Sequence, residues 1–166
     1  MSARISDRAI EACVERIADA LVARGAMLAT AESCTGGMIA AALTSIAGSS
    51  RWFERGFVTY SDGAKTEMLG VAAHTIERHG AVSEATACEM ARGAIAHSAA
   101  DVALAVTGIA GPGGGSEAKP VGTVCIAWCR RGEAPVATTF HFPGDRESVR
   151  RASVVAALQG LLEPPR

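Results

Sequence analysis

MLATAESCTGGMIAAALTSI, residues Met27 to Ile46, carries two different patterns within one short span. Met27 to Ala31 is a compact apolar run of the kind that forms a buried strand. From Gly37 to Ile46 the small apolar residues suit a helix packed tightly on that strand, with Gly48 to close it. Between them lies Glu32-Ser33-Cys34-Thr35-Gly36-Gly37, a polar turn with paired glycines. A strand that runs directly into a helix is the building unit of layered α/β domains.

Patterns on either side extend this unit. Ile10, Val14, Ile17, Leu21 and Val22 recur at helical spacing, with Asp7 able to cap the start and Gly25 placed to end the helix. Phe57 to Tyr60 is β-branched and aromatic enough for a strand, and a short helix follows from Ala64 to Leu69. Ser83 is an N-cap for a helix reaching about Ala99, and Val102 to Val106 is a continuous apolar run typical of a central strand. Val121 to Cys129 and Val136 to Phe142 read as a hairpin across Arg131-Gly132-Glu133. A last helix starts at Asp145 and ends near Leu162. The order α-β-α-β-α-α-β-β-β-α is that of a layered α/β domain with a mixed sheet.

Bulk composition narrows the function. The 166 residues fit one domain with a single core, and an apolar fraction of 49% can fill that core without disulfides or a structural metal. Sixteen Lys and Arg against 17 Asp and Glu leave a net charge of −1, which argues against nucleic acid as a partner. The local basic surplus, Arg130-Arg131 and the group Arg146, Arg150 and Arg151, suits a small anion better than a duplex. Cys13, Cys34, Cys88, Cys125 and Cys129 have no CxxC spacing, so neither a disulfide framework nor a zinc site is expected. Cys125 and Cys129 share one face of a strand as small core residues. No apolar run reaches the length of a membrane span, and the N-terminus lacks the continuous apolar centre of a signal peptide. The expectation is a cytoplasmic protein without a membrane partner.

Three segments have compositions that core packing does not explain. The turn Glu32 to Gly37 can present a nucleophile, with the following helix N-terminus stabilising negative charge, although Ser33 or Thr35 would also serve simply as an N-cap. In Phe57 to Lys65, a lysine can act as base for a serine if its surroundings lower its pKa. Lys65 and Tyr60, the one tyrosine of the chain, suit that role but equally suit a solvated helix residue and a core ring. The run Thr107 to Ser116 is a glycine-rich loop behind a buried strand, where backbone can approach a ligand closely. It matches neither GxxxxGK[ST] nor a GxGxxG that opens a helix, and the chain holds no GxSxG or HExxH.

AESCTGG (Ala31–Gly37), IAGSSRWFERGFVTYSDGAK (Ile46–Lys65), HGAVSE (His79–Glu84), VTGIAGPGGGSEAKPVGTV (Val106–Val124) and FPGDRESVR (Phe142–Arg150) occur in one order along the chain. Together they resemble the CinA C-terminal (PncC) family, the nicotinamide mononucleotide deamidases. The resemblance implies a single three-layer α/β/α domain over residues 1–166 with a mixed central sheet. It implies hydrolysis of the nicotinamide carboxamide to a carboxylate with release of ammonia, a pyridine nucleotide as small-molecule ligand, and no metal or organic cofactor. The family's nucleophile falls on Ser33, its base on Lys65 and its tyrosine on Tyr60. Many relatives carry an additional N-terminal nucleotide-hydrolysing domain, which this sequence is expected to lack.

On that reading the amides of Thr35, Gly36 and Gly37 are candidate oxyanion donors. Thr107, Gly108 and Gly111 are candidates for wrapping the nucleotide, and Arg146 and Arg150 for its phosphate, within the chain or from a neighbouring subunit. Resemblance and the abundant small apolar residues together suggest a homo-oligomer, a dimer or larger. Two rival readings stand beside this one: Cys34 as the nucleophile, or a non-catalytic nucleotide- or partner-binding domain of the competence type.

Overall fold

A computed structural model describes residues 7–163. Its five-stranded sheet has the order β2-β1-β3-β4-β5, with β1 Leu28–Glu32, β2 Phe53–Val58, β3 Val102–Gly108, β4 Thr123–Arg130 and β5 Val136–His141. Strands β2, β1 and β3 are mutually parallel, while β4 and β5 are antiparallel additions, so the sheet is mixed as expected. The helices are α1 Asp7–Arg24, α2 Met38–Leu43, α3 Asp62–Leu69, α4 Ala73–His79, α5 Glu84–Ala96 and α6 Arg146–Leu162.

Strand alternation divides the core into two faces. Leu28, Leu104, Val106, Ile126 and Trp128 point toward α1, α2 and α6, which bring Ile17, Leu21, Ile39, Leu43, Val154 and Leu158. Ala29, Ala31, Ala103, Ala105, Cys125, Ala127 and Cys129 point the other way, against Ala87, Met90, Ala91 and Ala94 of α5. Large residues fill one face and small ones the other, which lets α5 lie close to the sheet. Cys125 and Cys129 are therefore buried core residues on one face, as their spacing predicted.

The sequence-based boundaries shift in places. β2 begins at Phe53 rather than Phe57, and it is an edge strand whose centre, Arg55 and Gly56, is exposed. Tyr60 lies beyond the strand instead of within it. α4 is an additional helix, and its N-cap, Ala72, makes no side-chain cap bond. Ser83 caps α5 as predicted, its side chain accepting from the Thr86 amide, and the last helix begins at Asp145 as expected, with the Asp145 side chain capping it on the Ser148 amide.

The topology decides where chemistry can occur. From β1 the chain passes to β2 on one side, then crosses back to β3 on the other, so β1 is the switch point of the parallel part. Ligands of open α/β sheets bind beyond the carboxyl ends of such strands. Here the ends of β1, β2 and β3 present Ser33, Tyr60 and Gly108 along one edge.

Candidate active site

Ser33 is the first residue after β1, and its amide donates to the Val106 carbonyl of β3 at 2.9 Å. The chain must turn sharply here to enter α2, and it does so through Gly36 and Gly37, with φ +58° and +104°. Left-handed backbone of this kind favours glycine, which explains the pair. Behind the turn Glu32 is buried, and its carboxylate accepts from Thr35 Oγ1 at 2.8 Å and from the amides of Ile39 and Ala40 at 2.8 and 3.0 Å. The α2 N-terminus is thus occupied by this chain's own carboxylate, contrary to the expectation that it faces a ligand.

Ser33 is 7% exposed, and 3.2 Å from its Oγ lies the Nζ of Lys65, which is 1% exposed. Nζ also donates to the Tyr60 carbonyl at 3.3 Å, and Ser33 Oγ stands 3.4 Å from the same oxygen. Burial pushes the Lys65 ammonium below its ordinary pKa, while the Asp62 carboxylate, 3.9 Å from Nζ, pulls it upward. A buried lysine beside a serine hydroxyl is the arrangement a general base requires.

Tyr60 makes this contact through its backbone. The residue is 60% exposed, and its hydroxyl accepts from an Arg146 guanidinium nitrogen at 3.1 Å. The second terminal nitrogen of Arg146 donates to the Gly111 carbonyl at 2.8 Å, so Arg146 ties the Tyr60 ring to the glycine-rich loop.

A cavity of about 260 Å³ opens over the Ser33–Lys65 pair. Thr107, Gly108, Gly111, Arg146 and Tyr60 line it with Cys34, the rival nucleophile, together with Asp62, Ala81, Val82, Ile109 and Ala110, which the sequence did not single out. Thr107 Oγ1 donates to the Ala81 carbonyl, holding the loop before α5 against the site. A Cβ on Gly108 would lie 2.7 Å from Val124 Cγ2 and 3.1 Å from Cys34 Sγ, so only glycine fits there.

Some expected positions move out of the site. Thr35, Gly36 and Gly37 are not on the cavity wall, and the Gly36 amide is already donated to the Ser33 carbonyl at 3.0 Å. Arg150 is also off the wall: its Nε donates to the Cys34 carbonyl at 3.1 Å and a terminal nitrogen to that of Thr35 at 3.3 Å. Burial pushes the Cys34 thiol up to about 11, leaving it protonated near neutral pH and a poor nucleophile. Ser116 and Lys119 stand three apart in the glycine-rich loop, but Lys119 Nζ donates to the His79 carbonyl and Ser116 Oγ accepts from the Lys119 amide. That pair closes a turn.

Larger hollows of about 380 to 680 Å³ lie on the α1 and α6 side and contain none of the residues expected to do chemistry. Among the described residues, no helix is long and apolar enough to cross a membrane.

Comparison with known proteins agrees with this architecture. Solved structures of a competence/damage inducible protein CihA from Agrobacterium tumefaciens and a CinA superfamily protein from Escherichia coli superpose with TM-scores of 0.92 and 0.90. Their identities are 48% and 41%, covering 98% of this chain in both cases and 98% and 95% of theirs. The nicotinamide-nucleotide amidohydrolase PncC of Escherichia coli K12 is 55% identical over 148 residues, 89% of each chain. The protein of that name from Pseudomonas putida is 52% identical over 89% of this chain and 92% of its own. The model of the CinA C-terminal domain matches residues 10–164, and the chain belongs to the CinA C-terminal domain family.

Proposed function

We propose that this protein hydrolyses the carboxamide of nicotinamide mononucleotide, giving nicotinic acid mononucleotide and ammonia, with Ser33 as nucleophile and Lys65 as base. The observation that carries the mechanism is the buried Lys65 Nζ, 3.2 Å from Ser33 Oγ at the floor of the cavity. The relatives named as nicotinamide-nucleotide amidohydrolases, 49–55% identical over most of this chain, support the substrate class.

Neutral Lys65 takes the Ser33 hydroxyl proton as Oγ bonds to the carboxamide carbon. The resulting tetrahedral oxyanion collapses, the C–N bond breaks, and Lys65 returns the proton to the departing nitrogen as ammonia. Water then attacks the acyl-serine, Lys65 accepts its proton, and Ser33 regains a hydroxyl as the acid leaves. The amide of Cys34, a wall residue next to the nucleophile, is our candidate oxyanion donor in place of Thr35, Gly36 and Gly37. A well-placed donor of this kind is worth about 3 kcal/mol of barrier.

A cavity of about 260 Å³ is just below the roughly 300–1,000 Å³ usual for a whole small-molecule site. It takes the pyridine ring and its amide between Ala81, Val82, Ile109 and Ala110, leaving ribose and phosphate at the mouth. Arg146 stands there, exposed, with a planar fork of donors suited to phosphate. Tyr60 lies on the same rim, and its hydroxyl bond to Arg146 favours a role in shaping the mouth over one in proton transfer.

The test is to incubate purified protein with nicotinamide mononucleotide and measure ammonia and nicotinic acid mononucleotide, with Ser33→Ala and Lys65→Ala alongside. Turnover by the parent alone is expected. A folded parent that releases no ammonia would overturn the proposal, as would full activity in either variant.

A further inference from the structure

Between Ser33 and Gly37 the chain changes direction and places the nucleophile, so whatever holds this turn sets the reaction geometry. Beyond the bond from the Gly36 amide to the Ser33 carbonyl and that from the Met38 amide to the Thr35 carbonyl, three ties hold it. The Ser33 amide is fixed on β3, the Thr35 hydroxyl on Glu32, and the carbonyls of Cys34 and Thr35 on Arg150. The first two belong to β1 and its neighbour. The third comes from α6, more than a hundred residues later in the chain.

We infer that Arg150 is a positioning residue for Ser33: its guanidinium pins two successive carbonyls from behind the turn and so fixes the aim of the serine hydroxyl at Lys65. This rests on Ser33 being the nucleophile.

Arg150 is half-buried and does not line the cavity. One of its terminal nitrogens would lie 3.4 Å from a Cβ on Gly36, an ordinary van der Waals distance, so the guanidinium rests directly against the turn. The Cys34 carbonyl belongs to the peptide plane between Cys34 and Thr35, and holding it fixes ψ of Cys34, the residue beside the nucleophile. The base of the fork is rigid. α6 is capped by Asp145 and anchored in the core by Val149, Val154, Ala157 and Leu158. Nε and a terminal nitrogen reach two acceptors at once, which a lysine ammonium on its flexible stem does not reproduce. Arg146, one helical turn earlier, faces the cavity mouth; Arg150 faces the back of the turn.

The role separates from phosphate binding in steady-state kinetics with nicotinamide mononucleotide, using the full chain and the variants Arg150→Ala, Arg150→Lys and Ser33→Ala. Misplacing a reacting group by about 1 Å can cost on the order of 10²-fold. Arg150→Ala is therefore expected to lose about 10²-fold in kcat with KM nearly unchanged. Arg150→Lys should recover only part of it, and added guanidinium at millimolar concentration should raise the rate of Arg150→Ala but not that of the parent.

An unchanged kcat in Arg150→Ala would overturn the inference, and a raised KM at that unchanged kcat would return Arg150 to the phosphate. If Arg150→Ala does not fold, Arg150→Lys decides: kcat equal to the parent overturns the inference, and a reduced kcat at parental KM supports it. Turnover by Ser33→Ala would remove the nucleophile and this inference together. An inactive Ser33→Ala beside a fully active Arg150→Ala removes the inference alone.

Discussion

Lys65 Nζ lies 3.2 Å from Ser33 Oγ, and the lysine that reaches it is 1% exposed. A buried amine is a burden on folding unless its charge is matched, so the proposed role of Lys65 as base predicts that the residue costs the fold stability. Lys65→Met, which keeps length and apolar bulk, is expected to lose at least about 10³-fold in turnover. Its midpoint in thermal unfolding should equal or exceed that of the parent. A clear fall in the midpoint would mean that Lys65 holds the fold together.

The pH dependence follows from the same pair. Only the neutral amine can take the serine proton, so kcat/KM should rise with pH through the Lys65 pKa, which burial lowers. The Asp62 carboxylate 3.9 Å away raises that pKa and is itself largely exposed. Asp62→Asn removes the negative charge, so the acid limb of the profile should move to lower pH, and by less at high salt because the carboxylate is solvated. A limb that stays in place in a pH–rate series would show that another group titrates.

Glu32 makes a prediction about stability. Its carboxylate satisfies two amides of α2 and the Thr35 hydroxyl inside the core. Glu32→Ala leaves these donors buried without an acceptor, and each such group costs about 1–3 kcal/mol. Denaturant unfolding should show a loss of about 3 kcal/mol or more. Activity should fall with it, because the same turn carries Ser33.

The capped helices and buried strands were legible because their signals are local. Ser83 and Asp145 cap through their own side chains, and β3 and β4 are apolar on both faces. β2 was cut short because an edge strand with Arg55 and Gly56 exposed shows no apolar run, and α4 was missed because Ala72 gives no cap signal. From the residues alone the site was legible only as separate segments, and it was the family resemblance that joined Ser33, Lys65 and Tyr60. Ser33 and Lys65 meet because β1 pairs with β2 in the register Glu32 with Val58, and no spacing in the sequence reveals that register. Likewise Arg146 and Arg150, four apart on one helix, look alike in sequence. About 6 Å of helical rise puts one at the mouth and the other behind the turn.

Arg146 bridges the Tyr60 hydroxyl and the Gly111 carbonyl at the mouth of the cavity. Those bonds use its terminal nitrogens only in part, and Arg146 remains exposed on the cavity wall. A hydrogen bond to a charged group is worth about 2 kcal/mol, which corresponds to about a thirtyfold change in an equilibrium constant. Arg146→Ala is therefore expected to raise KM for nicotinamide mononucleotide about thirtyfold with little change in kcat, because the phosphate is bound equally in the ground and transition states. The riboside, which lacks the phosphate, separates this from damage to the rim. If Arg146 serves the phosphate, the substitution leaves kcat/KM for the riboside unchanged. If it serves by holding Tyr60 and Gly111 in place, kcat/KM falls equally for riboside and nucleotide, and the phosphate must be bound elsewhere.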